Sequence, residues 1–341
     1  MGRVLRLAAR AAGHTAPNPL VGAVLVQNGQ VVGEGWHRGA GQPHAEAAAL
    51  AQAGPGARGA TLYVNLEPCN HHGRTPPCTD ALIAAGVTRV VAAMEDPDPR
   101  VRGKGFERLR AAGIDVSVGD HAQQALQLNR WYVTSRTRNR PRVLYKWAQT
   151  LDGAVATADG DARWVSGPQA RRQVHRLRAQ LDAVLVGIGT VLSDDPRLTV
   201  RHTRGRDPLR VVADRDARTP LRAQILPALV CVGPGAPPER VRALESCGAT
   251  VAVAATPQEI LAALHQRGCL GVLLEGGHRL AAAFLAAGCI DEVAVALAPS
   301  LVGGGIPPFA GPGVARMAQA LPLRDLRVKR LGTDLWITGM M

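Results

Sequence analysis

The sequence contains two neighbouring segments that decide the fold of its first half: His44-Ala45-Glu46, and Glu67-Pro68-Cys69-Asn70-His71-His72-Gly73-Arg74-Thr75-Pro76-Pro77-Cys78. Zinc binds nitrogen and sulfur donors in a tetrahedron, so one imidazole and two thiolates leave its fourth position open for water. Bound zinc lowers the pKa of that water to about 7. Glu46 is not needed as a ligand and is free to move protons. The pattern therefore predicts a zinc hydrolase that removes an amine from a heterocycle.

A structural zinc site is the main alternative for these residues. Such a site normally recruits a fourth Cys or His, which His71 or His72 would supply. Eight residues separate the two cysteines, whereas the common sequence signature of zinc deaminases has only two residues between them. A structural site has no need of the spare carboxylate of Glu46, and this favours the hydrolase.

The chain is strongly basic, with a formal net charge of +13 over 341 residues. Such a charge is typical of proteins that release counterions from a nucleic-acid backbone. Lysine, however, occurs only at Lys104, Lys146 and Lys329, and the arginines are spread along the chain without a basic run of six. We therefore expect no nucleic-acid partner. A few well-placed arginines suit a small phosphorylated ligand instead.

Cysteine usage and the N-terminus favour a cytoplasmic protein. Residues 1–12 predict an amphipathic helix without the apolar core of a signal peptide, and no apolar stretch is long enough to span a membrane. Disulfide frameworks are typical of shorter and more cysteine-rich chains. The remaining cysteines lie in apolar or small-residue surroundings and are expected to be buried free thiols: Cys231, Cys247, Cys269 and Cys289.

Helix and strand patterns alternate along the first 140 residues and predict an α/β domain over 1–140. Helix 44–53 would carry His44 in its first turn, and the polar, arginine-rich segment 134–141 predicts the domain junction. The other predicted elements are helices 1–12, 79–85, 105–112 and 120–131 and strands 21–27, 30–36, 61–65, 89–93 and 115–118.

A second alternating series predicts a further α/β domain over 141–341. Its predicted helices are 168–180, 257–267 and 279–287, and its predicted strands are 143–148, 183–187, 210–213, 228–232, 250–254, 271–275, 292–297 and 335–339. Apolar residues make up 46% of the chain but aromatic residues only 3%, so the cores are expected to consist mostly of Ala, Val and Leu.

Motifs in both halves resemble one enzyme family, the bifunctional deaminase/reductases of riboflavin biosynthesis known as RibD. Besides the two segments quoted above, these motifs are Pro17-Asn18-Pro19-x-Val21-Gly22, Asp96-Pro97-x-Pro99, Lys146-x-Ala148-x-x-Leu151-Asp152-Gly153, Pro168-Gln169-Ala170-Arg171-Arg172, Gly189-Thr190-Val191-x-x-Asp194-Asp195-Pro196-x-Leu198-Thr199-Val200-Arg201 and Glu275-Gly276-Gly277. The resemblance implies a cytidine-deaminase-like α/β/α domain followed by a dihydrofolate-reductase-like α/β domain.

The resemblance also implies two successive reactions. The first domain would carry out zinc-dependent hydrolytic deamination of 2,5-diamino-6-ribosylamino-4(3H)-pyrimidinone 5′-phosphate, and the second would reduce its ribosyl group to ribityl with NADPH. Zn2+ and NADPH are then the cofactors, a phosphorylated pyrimidine is the small-molecule partner, and a homo-oligomer is expected. The alternatives are a zinc deaminase for another nucleobase with an altered reductase, and a zinc-stabilised nucleic-acid-binding protein.

For the deaminase, the resemblance assigns the metal to His44, Cys69 and Cys78 and the proton transfers to Glu46. It assigns the substrate pocket to Asn18, His37, His71 and Arg74. Each pocket residue has a simpler alternative. Asn18 lies between two prolines and would serve simply to form a turn. His37 would serve as a helix cap or a packed side chain, and one of His71 and His72 would only support a metal ligand. Arg74 would be an exposed arginine in a loop.

For the reductase, the resemblance assigns substrate contacts to Arg178, Leu198, Arg201 and Glu275. The residues that it assigns to NADPH are Ala148, Trp164, Thr190, Asp194, Gly277, His278, Arg279, Leu280, Ala281, Ala282 and Ala283. Glu275-Gly276-Gly277 ends a strand and opens a helix, so backbone N–H groups there can face phosphates. Lys146 inside an apolar strand suggests a role beside the sugar or the cofactor, whereas Asp152 before Gly153 equally suits a turn.

Three positions depart from the family pattern. Asp98 replaces a common Asn, Ala162 replaces a serine near the substrate, and Arg215 replaces a small polar residue near the cofactor. Arg215 is either a contact for the NADPH 2′-phosphate or an exposed side chain. None of the three belongs to the predicted metal set, so we expect both activities to survive.

Overall fold

The computed structural model describes residues 1–71 and 76–341. The chain divides into two compact units, an N-terminal unit (Met1–Asn139) and a C-terminal unit (Arg140–Met341). Each unit has its own α/β core. None of the helices in the described ranges combines the length and the apolar character needed to cross a membrane.

The N-terminal unit alternates helices and strands, as the sequence predicts. Its helices are α1 (Gly2–Ala9), α2 (Ala45–Ala53), α3 (Cys78–Ala84), α4 (Lys104–Ala111), α5 (Ala122–Leu128) and α6 (Arg130–Arg138). Its strands are β1 (Gly22–Gln27), β2 (Gln30–Trp36), β3 (Thr61–Val64), β4 (Arg89–Ala92) and β5 (Asp115–Val118). Within the described residues they form one sheet of five strands in the order β2-β1-β3-β4-β5.

Helices cover both faces of this sheet. On one face, α1 lies so close to β1 that a Cβ on Gly22 would come 2.3 Å from the Val4 carbonyl oxygen. On the other face, α2 lies so close to β2 that a Cβ on Gly35 would come 2.5 Å from the Ala45 carbonyl oxygen. Side chains alternate between faces along a strand, and the close approach lets helix and sheet exclude water. The result is the predicted α/β/α arrangement.

The boundary between the two units, Asn139 to Arg140, lies inside the segment 134–141 that was predicted as the domain junction. The first part of this segment is helical, because α6 continues to Arg138, and one face of the helix is packed: Tyr132, Thr134 and Ser135 are buried. The Tyr132 hydroxyl donates hydrogen bonds to both oxygens of Asp96, at 3.1 and 3.3 Å. A buried polar face satisfied by such bonds leaves no hydrophobic pattern in the sequence.

The C-terminal unit is built on one large sheet. Its helices are α7 (Pro168–Gln180), α8 (Ile188–Asp194), α9 (Pro238–Ser246), α10 (Pro257–Gln266) and α11 (His278–Ala286). Its strands are β6 (Arg142–Gln149), β7 (Ala183–Gly187), β8 (Leu209–Ala213), β9 (Leu229–Val232), β10 (Thr250–Val253), β11 (Gly271–Glu275), β12 (Glu292–Leu297), β13 (Arg324–Leu331) and β14 (Asp334–Met340). The strand order, counted over the described residues, is β10-β9-β8-β7-β11-β6-β12-β14-β13.

The strands of this sheet from β10 to β12 run parallel to their neighbours, whereas β14 pairs antiparallel with β12 and β13 pairs antiparallel with β14. Parallel strands end at the same edge, so the loops after β6, β7, β8 and β11 meet there. The core beneath them is aliphatic and includes Val143, Leu185 and Leu274, with Phe284 of α11 packed against it.

Three elements and one cysteine of this unit differ from the prediction. The helices α8 and α9 and the strand β13 were not predicted; every residue of β13 except Leu331 is exposed, so it has no apolar alternation of the kind that marks a half-buried strand. The prediction of a buried thiol is wrong for Cys247, which is exposed one residue beyond α9. Cys231, Cys269 and Cys289 are buried free thiols, as expected.

Candidate functional site

Three elements of the N-terminal unit bring His44, Cys69 and Cys78 together. His44 immediately precedes α2, Cys69 lies in the loop after β3, and Cys78 is the first residue of α3. The His44 Nδ1 atom is 3.3 Å from Cys78 Sγ and 3.5 Å from Cys69 Sγ. The three possible ligand atoms lie within 4.8 Å of one another. His44 lies just before the helix rather than in its first turn, as predicted from sequence, and its ring points to the two thiols.

The charges of this cluster suit a divalent cation. Hydrogen bonds from Cys78 and from His44 lower the pKa of the Cys69 thiol to about 4, despite its burial. The same bond to Cys69, together with burial, raises the pKa of Cys78. A cation between the two sulfurs would favour the thiolate form of both. One imidazole and two thiols are donors that zinc prefers, so the residues fit the metal.

Glu46 lies beside this cluster at the second residue of α2. It is 3% exposed, and burial raises its pKa to about 7, with the charge of Cys69 acting in the same direction. A buried carboxyl group with a pKa near neutrality can both accept and return a proton. Glu46 is not part of the three-residue ligand cluster found among the described residues. Its position therefore fits the predicted role of proton carrier.

His37 and Asn18 form a hydrogen-bonded pair next to His44. The rings of His37 and His44 meet edge to face, with centroids 5.5 Å apart. His37 Nδ1 is 3.1 Å from the Pro43 carbonyl oxygen, so this nitrogen carries the proton and donates. The other ring nitrogen then accepts from the Asn18 amide at 3.0 Å. Burial lowers the pKa of His37, which keeps the ring neutral and leaves the Asn18 side-chain oxygen as an acceptor.

Two buried asparagines hold the loop that carries Asn18, and the sequence analysis missed both. The Asn65 side chain accepts from the Gly22 N–H at 2.7 Å and donates to the Leu20 carbonyl at 2.8 Å. The Asn129 side chain accepts from the Leu20 N–H at 2.8 Å and donates to the same carbonyl at 2.9 Å. Asn129 is 109 positions away in sequence, so no local pattern shows this contact. An amide side chain at the end of the apolar strand β3 was the available signal for Asn65.

Glu67 anchors the loop that carries Cys69, a role that was also missed. Its buried carboxylate accepts backbone N–H groups of Asp96 at 3.1 Å, Gly103 at 3.0 Å and Gly105 at 2.8 Å. The loop after β4 is thereby tied to the start of α4. The sequence feature that could have indicated this role is a charged residue directly before Pro68-Cys69.

Asp98, which departs from the family pattern, is buried in the same region and paired with Arg100. Its carboxylate accepts from Arg100 Nε at 2.9 Å and from Arg100 Nη2 at 2.6 Å. These bonds lower the pKa of Asp98 to about 2, so the carboxylate is charged at neutral pH. The additional charge relative to Asn therefore has its own counter-ion.

Two predicted pocket residues remain without structural support. His71 is exposed at the end of the described segment, and no residue of the described ranges forms a hydrogen bond with it. Arg74 lies outside the described residues, as does His72. The assignments of His71 and Arg74 therefore stay predictions.

The C-terminal unit contains a cavity of about 1740 Å³ at the carboxyl edge of its parallel strands. Its lining includes all four predicted substrate residues, Arg178, Leu198, Arg201 and Glu275, and also Lys146. Sites for one small molecule usually measure about 300–1,000 Å³. The volume therefore leaves room for a cofactor and a second ligand together.

A buried ion pair lies at the β6–β11 end of this cavity. Arg178 donates to Glu275 through Nε at 2.6 Å and through Nη2 at 2.8 Å. Burial alone would raise the pKa of Glu275, but Arg178 outweighs it and the pKa is lowered. Lys146 is the register partner of Glu275 on the neighbouring strand, and desolvation lowers its pKa. The charges of both Arg178 and Lys146 thus favour the carboxylate form of Glu275.

Arg201 is held next to this pair by His175, which the sequence analysis did not single out. His175 lies on α7, is 5% exposed, and accepts the Arg201 backbone N–H through Nδ1 at 3.1 Å. Burial and the nearby Arg178 and Arg201 charges lower the pKa of His175 to about 4. The ring therefore stays neutral and keeps its acceptor nitrogen. Leu198 precedes this loop with φ 53°, a backbone conformation uncommon for leucine.

The predicted cofactor segment forms a glycine-rich cradle. Gly276 and Gly277 have φ values of 72° and 80°, and a Cβ on Gly276 would lie 3.3 Å from Thr190 Oγ1. Backbone therefore approaches the start of α8 closely at this point, as phosphate-binding turns require. Other predicted residues on the cavity lining are Ala148, Trp164, Asp194, His278, Arg279, Leu280 and Ala283.

Two residues of the predicted cofactor segment are placed elsewhere. Ala281 is fully buried in the hydrophobic core, and Ala282 is not among the described residues that line the cavity. Both lie on α11, which has one face on the cavity and another on the hydrophobic core. The departures Ala162 and Arg215 do line the cavity.

Family models match both units. The RibD C-terminal domain matches residues 141–337, and the cytidine and deoxycytidylate deaminase zinc-binding region matches residues 1–94. The riboflavin biosynthesis protein RibD of Aquifex aeolicus is 43% identical over 99% of this chain and 96% of its own length. The chain belongs to the RibD family. A second RibD protein, from Synechocystis, is 45% identical over the whole chain and 95% of its own length.

Solved structures of RibD proteins share the arrangement. The RibD structure of Acinetobacter baumannii, form 2, is 40% identical and superposes with a TM-score of 0.92 over 99% of this chain and 97% of its own. A diaminohydroxyphosphoribosylaminopyrimidine deaminase/5-amino-6-(5-phosphoribosylamino)uracil reductase from Thermotoga maritima is 36% identical, with a TM-score of 0.89 over the whole chain and 97% of its own. The predicted two-part fold is therefore confirmed.

Proposed function

We propose that this RibD-family chain deaminates 2,5-diamino-6-ribosylamino-4(3H)-pyrimidinone 5′-phosphate and then reduces its ribosyl group to ribityl with NADPH. One observation carries the proposal: each unit contains its own chemically complete site. The N-terminal unit combines a zinc-type donor cluster with the buried Glu46, and the C-terminal unit combines a glycine cradle with a charged cavity end. Deamination belongs to the first of these units, and reduction to the second.

In the deaminase, His44, Cys69 and Cys78 would hold a zinc ion, which would supply the Lewis acid that makes a water nucleophilic. Glu46 would take the two protons of that water in turn, passing the first to the ring nitrogen and the second to the departing amine. Its burial beside the ligands allows one carboxyl group to serve every transfer. Neutral His37 fixes the Asn18 amide, whose free oxygen accepts a hydrogen bond from the pyrimidine.

In the reductase, NADPH supplies the hydride. Reduction of the sugar carbon also needs a proton at the sugar oxygen, and Lys146 is the donor of that proton. The lowered pKa of its ammonium group makes this transfer easier. Glu275 and Arg178 hold one another in a fixed bidentate geometry beside it, while Arg201 pairs with the substrate phosphate.

The active protein is a cytoplasmic homo-oligomer in this proposal. Strand β13 is an edge strand paired, within the described residues, only with β14, and it exposes the apolar residues Leu326 (58%) and Val328 (56%). A long exposed edge with apolar side chains is usually covered. A second copy of the chain is the simplest cover, and light scattering of the purified protein would show a mass above 35.8 kDa.

One coupled assay tests the proposed function. Zinc-loaded protein is incubated with the diaminopyrimidine ribotide and NADPH, and both ammonia release and the loss of NADPH absorbance are followed. We expect one ammonia released and one NADPH oxidised for each substrate. Ammonia without NADPH oxidation would indicate a deaminase with an altered reductase. If neither signal appeared in a zinc-loaded sample, the enzyme proposal would be wrong.

A further inference from the structure

The loop over 195–208 connects α8 to β8 and packs against α7. A Cβ on Gly205 would come 2.5 Å from the Cβ of Ala179 on that helix, so glycine is needed for the close approach. From the same helix, Arg178 Nη1 donates to the Thr199 carbonyl oxygen at 3.2 Å. The helix α7 is therefore the surface on which this loop is held.

Two side chains accept consecutive backbone N–H groups of the loop. The Val200 N–H donates to the Asp207 carboxylate at 2.6 Å, so this bond closes the loop on itself. The Arg201 N–H donates to His175 Nδ1 at 3.1 Å, and His175 belongs to α7. The second bond thus ties the Arg201 backbone directly to the helix.

His175 has a further contact with the loop. Its ring meets the His202 ring edge to face, with centroids 4.5 Å apart and the ring planes at 87°. One imidazole therefore contacts two successive loop residues, the backbone of Arg201 and the side chain of His202. Because His175 is only 5% exposed, packing fixes its ring. The two contacts together restrict where the Arg201 side chain starts and in which direction it leaves the backbone.

The bond to Arg201 requires a neutral His175. An imidazole accepts only through a nitrogen without a proton, so the proton of the neutral ring lies on Nε2. The charged and titratable groups that face the ring are Arg178 on α7, Arg201 and His202 in the loop, and Glu275 on β11. Burial, followed by the charges of Arg178 and Arg201, lowers the pKa of His175 to about 4, although Glu275 acts in the opposite direction. The acceptor nitrogen is therefore available at neutral pH.

We propose that His175 is a positioning residue of the reductase, which directs the Arg201 guanidinium at the substrate phosphate. This rests on the proposed reductase function, in which Arg201 pairs with that phosphate. Paired hydrogen bonds between a guanidinium and phosphate oxygens need a defined plane and distance. Arg201 is exposed, and an arginine side chain has many rotamers, so a free backbone would spread the guanidinium over many positions. His175 acts through Arg201 and not on the substrate.

Steady-state kinetics of the reductase, with the deaminated substrate and NADPH, test this role. His175→Leu removes the acceptor and keeps a buried side chain of similar size. We expect its KM for the phosphorylated substrate to rise roughly 5- to 30-fold, because the Arg201 N–H loses its partner. The kcat should stay within about threefold, because Lys146 and Glu275 are unchanged. His175→Phe keeps a ring against His202 but lacks the acceptor, and its KM should rise similarly.

The conservative variant should rescue the loss. His175→Asn retains an acceptor oxygen at the position of Nδ1, and its KM should lie within about threefold of the wild type. Gln180→Leu, an exposed exchange at the end of the same helix, is the matched control and should behave as the wild type. Ammonia release in the coupled assay should be the same in all of these variants, because the deaminase lies in the other unit.

A double-mutant cycle separates positioning from a direct contact with the substrate. In an Arg201→Ala background there is no guanidinium to direct, so His175→Leu should change the KM by less than about twofold. An equal loss in both backgrounds would overturn the proposal, as would an unchanged KM in both His175→Leu and His175→Phe. A loss in His175→Asn as large as that in His175→Leu, or a fall in kcat at unchanged KM, would overturn it as well. Absence of NADPH oxidation by the wild type would instead contradict the reductase function itself.

Discussion

Replacement of Glu46 by glutamine should abolish deamination and leave the metal in place. The substitution keeps the size of the side chain and removes its ability to carry a proton. Glu46 is 3% exposed, so bulk water cannot take over the transfer without a rearrangement of α2. Because burial already disfavours the charged carboxylate, a neutral amide there should not unfold the unit.

The expected loss of deaminase activity depends on how many proton transfers use this carboxyl group. General acid–base catalysis by one positioned group contributes about 10²–10⁴-fold. Both the activation of water and the release of the amine depend on Glu46, so the loss should be at least ~10³-fold, equivalent to ~4 kcal/mol of transition-state stabilisation. His44, Cys69 and Cys78 are unchanged, so zinc should remain at one ion per chain.

Three measurements on the same preparation decide the matter: zinc content, ammonia release from the diamino substrate, and NADPH oxidation with the deaminated intermediate. Glu107→Gln, an exposed exchange on α4, is the matched control and should behave as the wild type. Reduction should be unaffected in both variants. Loss of zinc from Glu46→Gln would show that Glu46 is a ligand, and more than a tenth of the deaminase activity remaining would refute its role as proton carrier.

Three further predictions concern the residues around the sites. Arg201→Ala should raise the KM of the reductase roughly 10- to 100-fold through loss of a phosphate contact, while ammonia release stays unchanged. His175 has a pKa of about 4 when folded and about 6.5 when unfolded, so the unfolded chain binds more protons between these values. The wild type should therefore lose up to ~3 kcal/mol of stability as the pH falls from 6.5 to 4, and denaturant titrations of His175→Gln should lack this loss. Glu67→Ala leaves three buried N–H groups without their acceptor and should reduce both stability and zinc affinity, measured by chelator competition; unaltered zinc affinity would show that Glu67 does not position Cys69.

The sequence predicted what local chemistry determines. The residue types of His44, Cys69 and Cys78 indicate the donor set, and Glu46 stands out because a closed zinc site does not need an additional carboxylate. Parallel strands such as β7 and β11 are short apolar runs, which the pattern of side chains reveals directly. Their common edge then places Thr190 and Glu275 on one cavity.

The distant residues that hold the loops of the two sites could not be predicted from the sequence. Asn129 reaches the Leu20 loop across 109 positions, and Glu67 binds three backbone groups that lie beyond β4. Contacts of this kind depend on tertiary packing and leave no periodicity. His175 was hidden for a different reason, since a histidine on the packed face of an amphipathic helix resembles any core residue. Its contacts with the Arg201 backbone and the His202 ring distinguish it.

Both sites follow from one property of parallel strands. In the N-terminal unit, Glu67 and Cys69 follow β3, while Asp96 and Asp98 follow β4. In the C-terminal unit, the residues after β7, β8 and β11 line the cavity. Backbone groups are unpaired where such strands end, so polar side chains and glycine turns collect there and bind ligands. Lys146 and Glu275 lie at one end of this edge and Arg215 lies at the other, so a single cavity offers room along the sheet for two ligands side by side.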